Sequence, residues 1–211
     1  MFIRRRLGLP EHGSIVFFSS RVAPEKDAES VCRAVAILRS QGRDVHLLHL
    51  SGGYREFATA AESFGIGVHV IARDAVPPFE ALADHYRASD VCVQASREEG
   101  LGFSPLEALA CGVPVVASAV GGLENTIRDG ETGWQVPVGD SDAMARAIAE
   151  ALDHPDEAAR RAEAGAQLVD RLYERRIVFD ALIERLWEAA GIAATGTAIN
   201  REVAAPGARQ C

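Results

Sequence analysis

Ala95-Ser96-Arg97-Glu98-Glu99-Gly100-Leu101-Gly102-Phe103-Ser104-Pro105-Leu106-Glu107-Ala108-Leu109-Ala110-Cys111-Gly112-Val113-Pro114-Val115-Val116-Ala117-Ser118 is the stretch that decides how this chain is read. It reads as a strand end, an acidic loop with glycines, a helix, a turn and a second buried strand. Gly100 and Gly102 allow positive φ and close backbone approach. Ser104-Pro105 reads as N-cap and first helical position. The helix start then offers free N–H groups and a positive dipole end, an anion site suited to a diphosphate. Glu107 has two readings. It can close a capping box with Ser104, or it can accept hydrogen bonds from the vicinal hydroxyls of a ribose. Glu99 is an acceptor for sugar hydroxyls or a solvated loop acid.

Outward from this stretch, short apolar runs alternate with helical spacing. Strands are expected at residues 14–20, 45–50, 68–71, 90–94, 113–117 and 133–136. Helices are expected at 25–41, where Val31, Val35 and Leu38 share a face, through Phe57, Ala61 and Phe64, and from Pro77-Pro78 through Leu82 and Tyr86. A helical turn at 125–127 follows Gly121-Gly122, then helices at 142–152 and from Pro155 to about Leu172. A last amphipathic segment carries Phe179, Leu182, Ile183, Leu186 and Trp187. The alternation implies an α/β fold: a single Rossmann-like, doubly wound parallel sheet of about six strands with helices on both faces. Residues 1–12 read as a linker remnant, 13–190 as the domain and 191–211 as a disordered tail.

In such a sheet ligands bind at the carboxyl ends of the strands. Ser20-Arg21, Ser51-Gly52-Gly53 and the Glu99 loop all fall there. Arg21 and Lys26 can neutralise a diphosphate and stabilise a leaving group; the alternative is a solvated loop with Lys26 paired to Glu25, Asp27 or Glu29. Asp140-Ser141-Asp142 is a D-x-D pattern, but it precedes a helix and reads as N-capping. His46 and His49 fall on opposite faces of a strand, a poor ligand pair. His85 and His154 read as surface helix residues. No zinc pattern, Walker loop or dinucleotide glycine fingerprint is present.

The 211 residues suffice for a sizeable core, and 48% hydrophobic and 25% charged residues are ordinary for a globular chain. A net charge of −8 argues against nucleic-acid backbone binding. Cys32, Cys92 and Cys111 lie in apolar surroundings and read as reduced packing residues, which suits a cytoplasmic location. No apolar run reaches membrane-span length. Arg4-Arg5-Arg6 reads as a short solvated charge run, with membrane contact at most peripheral.

The stretch from Glu99 to Ala108, followed by Gly112-Val113-Pro114-Val115-Val116-Ala117, resembles the E-x7-E signature of retaining GT-B glycosyltransferases, the glycosyl transferases group 1. Arg21 and Lys26 fall where that family carries its phosphate-binding pair. Val120-Gly121-Gly122 and residues 129–134 resemble two further family segments, so the likeness covers about residues 10–190. The resemblance implies that Arg21 and Lys26 contact the donor diphosphate, Glu99 the donor sugar and Glu107 the ribose. Gly100 and the backbone of Leu101, Gly102, Phe103 and Ser104 would meet the sugar and phosphates. The segment from Arg73 to Val76 would pass the nucleobase. It implies transfer of a glycosyl unit with retention, no bound metal and no cofactor beyond the nucleotide-diphosphate sugar. The acceptor would be held by an amino-terminal domain or a separate chain, and a homodimer through the last helix is a further expectation. Ser20 and Asp27 depart from the family's usual glycines, and Glu124-Asn125 from its usual Pro-Glu. Alternatives are a non-catalytic nucleotide-sugar-binding or assembly module of the same fold, or a sugar-nucleotide epimerase-like domain.

Overall fold

The computed structural model describes residues 2–75 and 79–189. Two compact units divide the chain, one running to Asp170 and one beginning at Arg171. The first contains a parallel sheet of β1 (Ser14–Phe18), β2 (Val45–Leu50), β3 (Val70–Arg73), β4 (Val91–Gln94), β5 (Val115–Ser118) and β6 (Trp134–Val136). The strand order is β3-β2-β1-β4-β5-β6, and every pairing is parallel. This is the expected six-stranded Rossmann-like sheet. The order reverses between β1 and β4, so the carboxyl ends of these two strands flank a crevice.

Period-two alternation divides the strand side chains between two cores. Val16 and Phe18 of β1, Leu47 of β2, Val91 and Val93 of β4 and Val116 of β5 pack on one face. There they meet α2 (Ala28–Ser40), α3 (Tyr54–Ser63) and α7 (Ser141–Asp153). Ile15, Phe17, Leu48, Cys92 and Val115 pack on the other, against α1 (Phe2–Arg6), α4 (Phe79–Ala88) and α5 (Phe103–Ala110). Because both faces are covered, the strands read as continuous apolar runs. A short α6 (Leu123–Thr126) precedes β6, and α8 (Pro155–Tyr173) follows α7.

The amino-terminal segment keeps Arg5 and Arg6 exposed, as a solvated charge run would, but Arg4 departs from that expectation. The segment forms α1, and Arg4 donates to the carbonyls of Ala88 and Gly13, both at 2.9 Å, and pairs with Asp90 at 2.6 Å. Arg5 pairs with Glu11 at 2.8 Å, and Arg6 with Asp84. All three guanidinium groups thus have carboxylate partners within the fold. A second difference is the start of α2, expected at residue 25. A 3-10 turn (Pro24–Lys26) comes first, and Asp27, at φ 47°, caps the helix by accepting from the Ser30 amide. His85 also departs from expectation: it is buried, its Nδ1 lies 2.7 Å from the Ala81 carbonyl, and burial lowers its pKa. His154 is exposed as expected.

In the second unit the described element is α9 (Arg175–Ala189). Its Ile177, Val178, Phe179, Leu182 and Leu186 are exposed. The expected tail at 191–211 lies outside the described residues. Among the described residues no helix is long and apolar enough to cross a membrane.

Candidate functional site

Two loops meet over the crevice: residues 19–27 after β1, and 95–102 after β4. They are joined by two ion pairs. Lys26 Nζ lies 2.6 Å from Glu99 Oε2, with the side chains 17% and 13% exposed. Arg97 pairs with the buried Asp27 at 2.8 Å, and its amide donates to the Glu25 carbonyl at 2.8 Å. Of the partners open to Lys26 in the sequence, the fold selects none of its neighbours and instead brings in Glu99 from the other loop. Arg21 reaches Glu25 at 3.3 Å and is 75% exposed, so its pairing is weak and its guanidinium can swing.

Glu99 Oε2 also accepts from Ser96 Oγ at 3.1 Å and lies 3.4 Å from Gln94 Nε2. Its backbone is held from the far side. The Gly122 amide donates to the Glu99 carbonyl at 3.0 Å. A Cβ on Gly121 would collide with the Glu99 carbonyl oxygen, and one on Gly122 with that of Gly100. The double glycine after β5 is therefore a packing requirement of the acidic loop.

The helix start differs from the sequence expectation. Gly102, at φ 82°, is the N-cap of α5, so the helix begins at Phe103. Pro105 sits within the first turn, where its missing N–H leaves no intrahelical bond unmade. Ser104 is then inside the helix and cannot close a capping box with Glu107. Its hydroxyl lies 3.0 Å from the Tyr86 hydroxyl, which donates to Glu107 Oε2 at 2.8 Å. Tyr86 is buried edge-on to Phe17, with ring centroids 4.8 Å apart, and burial raises its phenol pKa. Glu107 borders a cavity of about 150 Å³ with Leu82, Ala83, Tyr86, Ala110 and Cys111. Gly100 and Phe103 are exposed and Leu101 is half-buried, on the rim beside the helix start.

Arg73 ends β3, but its guanidinium is bound to the carbonyls of Leu7 at 2.8 Å and Gly8 at 3.1 Å. Val76 lies outside the described residues. Asp140 caps α7 by accepting from the Ala143 amide at 2.8 Å, which accounts for the D-x-D pattern. His46 and His49 face opposite sides of β2. The His49 Nδ1 must carry its proton, because it lies 2.9 Å from the Phe18 carbonyl, which can only accept. Burial between Phe18 and Phe57 pushes the His49 pKa down to about 4. Burial likewise pushes the Cys32 and Cys92 thiols up to about 12, so they are inert packing groups at neutral pH.

The crevice thus gathers Lys26, Glu99 and the start of α5, with Arg21 at its edge and Glu107 one turn into the helix. Sequence reading missed Gln94, Ser96, Arg97 and Tyr86. Gln94 carried a signal: it is the polar residue of an otherwise apolar strand buried on both faces, and such a group must find partners.

A doubly wound sheet with an acidic glycine loop at its switch point defines one half of a GT-B architecture. The chain belongs to the glycosyl transferases group 1, whose family model matches residues 2–168. D-inositol 3-phosphate glycosyltransferase of Thermobispora bispora is 37% identical over 163 residues, covering 72% of this chain and 38% of that protein. Its namesake in Geodermatophilus obscurus is 35% identical over 220 residues, covering 98% of this chain and 49% of that protein. The sucrose-phosphate synthase of Thermosynechococcus elongatus superposes with a TM-score of 0.78 at 32% identity, over 89% of this chain and 49% of that one. Anabaena Alr3699/HepE, solved with UDP-glucose, shares the fold at a TM-score of 0.79 and 20% identity, over 89% of this chain and 52% of that one. The chain spans about two fifths to one half of the length of these relatives.

Proposed function

We propose that this chain is the donor-binding half of a retaining, metal-independent hexosyltransferase. It holds a nucleotide-diphosphate sugar, and the acceptor is presented by an amino-terminal domain or a separate chain. The observation that carries this reading is the Lys26–Glu99 pair at the switch point, beside the start of α5. Lys26 exchanges its carboxylate for the donor diphosphate, joined by Arg21, and the two cations stabilise the charge that develops on the leaving group. Amides at the start of α5 add donors along the Gly100–Ser104 rim. Glu99, released from Lys26, accepts from the donor sugar, and Glu107 accepts from the ribose. The end of β3 at Arg73 borders the base, with the Arg73 guanidinium retained by the carbonyls of Leu7 and Gly8. The names of the relatives support a glycosyl-transfer reading, and the UDP-glucose complex of Alr3699/HepE supports a nucleotide-sugar donor.

A thermal-shift screen of the full chain against UDP-, GDP- and ADP-sugars and the matching nucleoside diphosphates tests the reading. A ligand that binds the folded chain raises the melting temperature, and the shift grows logarithmically with ligand concentration above its dissociation constant. Stabilisation by one nucleotide class is expected; no shift with any of them at millimolar concentration overturns the proposal.

A further inference from the structure

Gln94 is the buried middle link of a directed chain of hydrogen bonds. Its side chain, 1% exposed, closes β4 beneath the acidic loop. Ser20 Oγ donates to Gln94 Oε1 at 2.9 Å. Gln94 Nε2 donates to Ser96 Oγ at 2.7 Å and points to Glu99 Oε2 at 3.4 Å. Ser96 Oγ in turn donates to Glu99 Oε2 at 3.1 Å. A carboxylate only accepts, so the nitrogen of the amide must face Glu99 and the oxygen must face Ser20. Every donor then points the same way, from the end of β1 across the switch point to one carboxylate oxygen. Bonds aligned in this manner polarise one another, more so away from water. Ser20, where the family usually has glycine, supplies the first hydroxyl of this chain.

We propose that Gln94, with Ser20 and Ser96, is the positioning group that keeps Glu99 aimed at the donor sugar after Lys26 has turned to the diphosphate. The inference rests on the donor-site reading. Its physical basis is that a donor diphosphate competes with Glu99 for the Lys26 ammonium. Without a second set of donors, Glu99 would be free to rotate when its cation leaves. Gln94 and Ser96 hold Oε2 and leave Oε1 for a sugar hydroxyl. Gln94 therefore governs recognition of the sugar, not of the nucleotide, although it touches neither.

The test compares calorimetric affinities of the full chain for UDP-glucose against UDP, GDP-mannose against GDP, and ADP-glucose against ADP. Gln94→Met keeps the side-chain volume and removes the relay; Ser96→Ala removes only its last donor. Each is expected to weaken the sugar-bearing nucleotide by about tenfold, with the bare diphosphate changed by less than about twofold. Should Gln94→Met not fold, Ser96→Ala alone decides. Equal losses for both ligands, or a lowered melting temperature with the wild-type ratio retained, mark a purely structural group and overturn the inference. Wild-type protein that binds a diphosphate no less tightly than its sugar overturns it while leaving the donor-site reading standing. Wild-type protein that binds neither ligand overturns both.

Discussion

Glu99 and Glu107 bracket one loop and one helix turn, and they meet the protein in opposite ways. Glu99 gathers Lys26, Ser96 and Gln94 on a single carboxylate oxygen, and its backbone is locked by the double glycine that follows β5. Among the described residues the Glu107 carboxylate accepts from Tyr86, and it borders a small cavity. The first is held by residues from both sides of the switch point, so its position depends on tertiary assembly. The second rides on α5, so its position follows largely from the helix, with Tyr86 setting the side chain. Glu99 shares its cation with any anionic ligand that enters the crevice, whereas Glu107 can accept a ligand's hydroxyls with its phenol partner unchanged.

The Glu99 loop is most sensitive at its backbone. Gly122→Ala drives a methyl group into the Gly100 carbonyl. It is expected to cost about 3 kcal/mol of stability in urea unfolding and to abolish nucleotide binding by displacing the Glu99 loop, while the Tyr86–Glu107 contact survives in the folded fraction. Lys26→Met removes the cation but not the relay. Affinity for a nucleoside diphosphate should fall by about thirtyfold in calorimetry, in line with one charge-assisted hydrogen bond.

Acid acts at the end of β1, where His49 meets the Phe18 carbonyl. The folded-state pKa of His49, about 4, lies below its ordinary value of 6.5. The unfolded chain therefore binds the extra proton first as pH falls, so the stabilisation is complete above pH 6.5 and is lost progressively towards pH 4. Lowering the pH from 7 to 5 is expected to cost on the order of 2 kcal/mol from this group. His49→Leu should remove its share of the slope in urea midpoints measured at the two pH values.

The smallest effect separates the two readings of Glu107. Because Gly102 caps α5, Glu107→Ala should change stability by less than about 1 kcal/mol. It should weaken a ribonucleoside diphosphate by about tenfold and leave its 2′,3′-dideoxy analogue unaffected, as measured by competition binding.

The strands were legible because a parallel sheet covered on both faces writes itself as apolar runs, and residues 45–50 match β2 end for end. The start of α5 was legible only to within two residues. Ser-Pro signals a cap locally, but Gly102 enters the left-handed region first and takes that role. What was not legible is pairing at a distance. Nothing near Lys26 announces Glu99, because their contact exists only once β1 and β4 lie side by side. Asp27 and Ser20, departures from the family's glycines, likewise acquire reasons in the fold. Asp27 keeps the left-handed conformation that glycine would adopt and adds a cap and an ion pair with Arg97. Ser20 adds a hydroxyl that meets Gln94.

The proposed donor site turns on one event, exchange of Glu99 for a donor diphosphate at Lys26 in the crevice between β1 and β4. Calorimetric titration of the full chain with the donor selected by the thermal-shift screen, repeated with Lys26→Met and with the nucleoside monophosphate, tests it most directly. Saturable one-to-one binding by wild type, weakened about thirtyfold both by the substitution and by loss of the second phosphate, is the predicted result. Binding that is indifferent to Lys26 and to the diphosphate would contradict it.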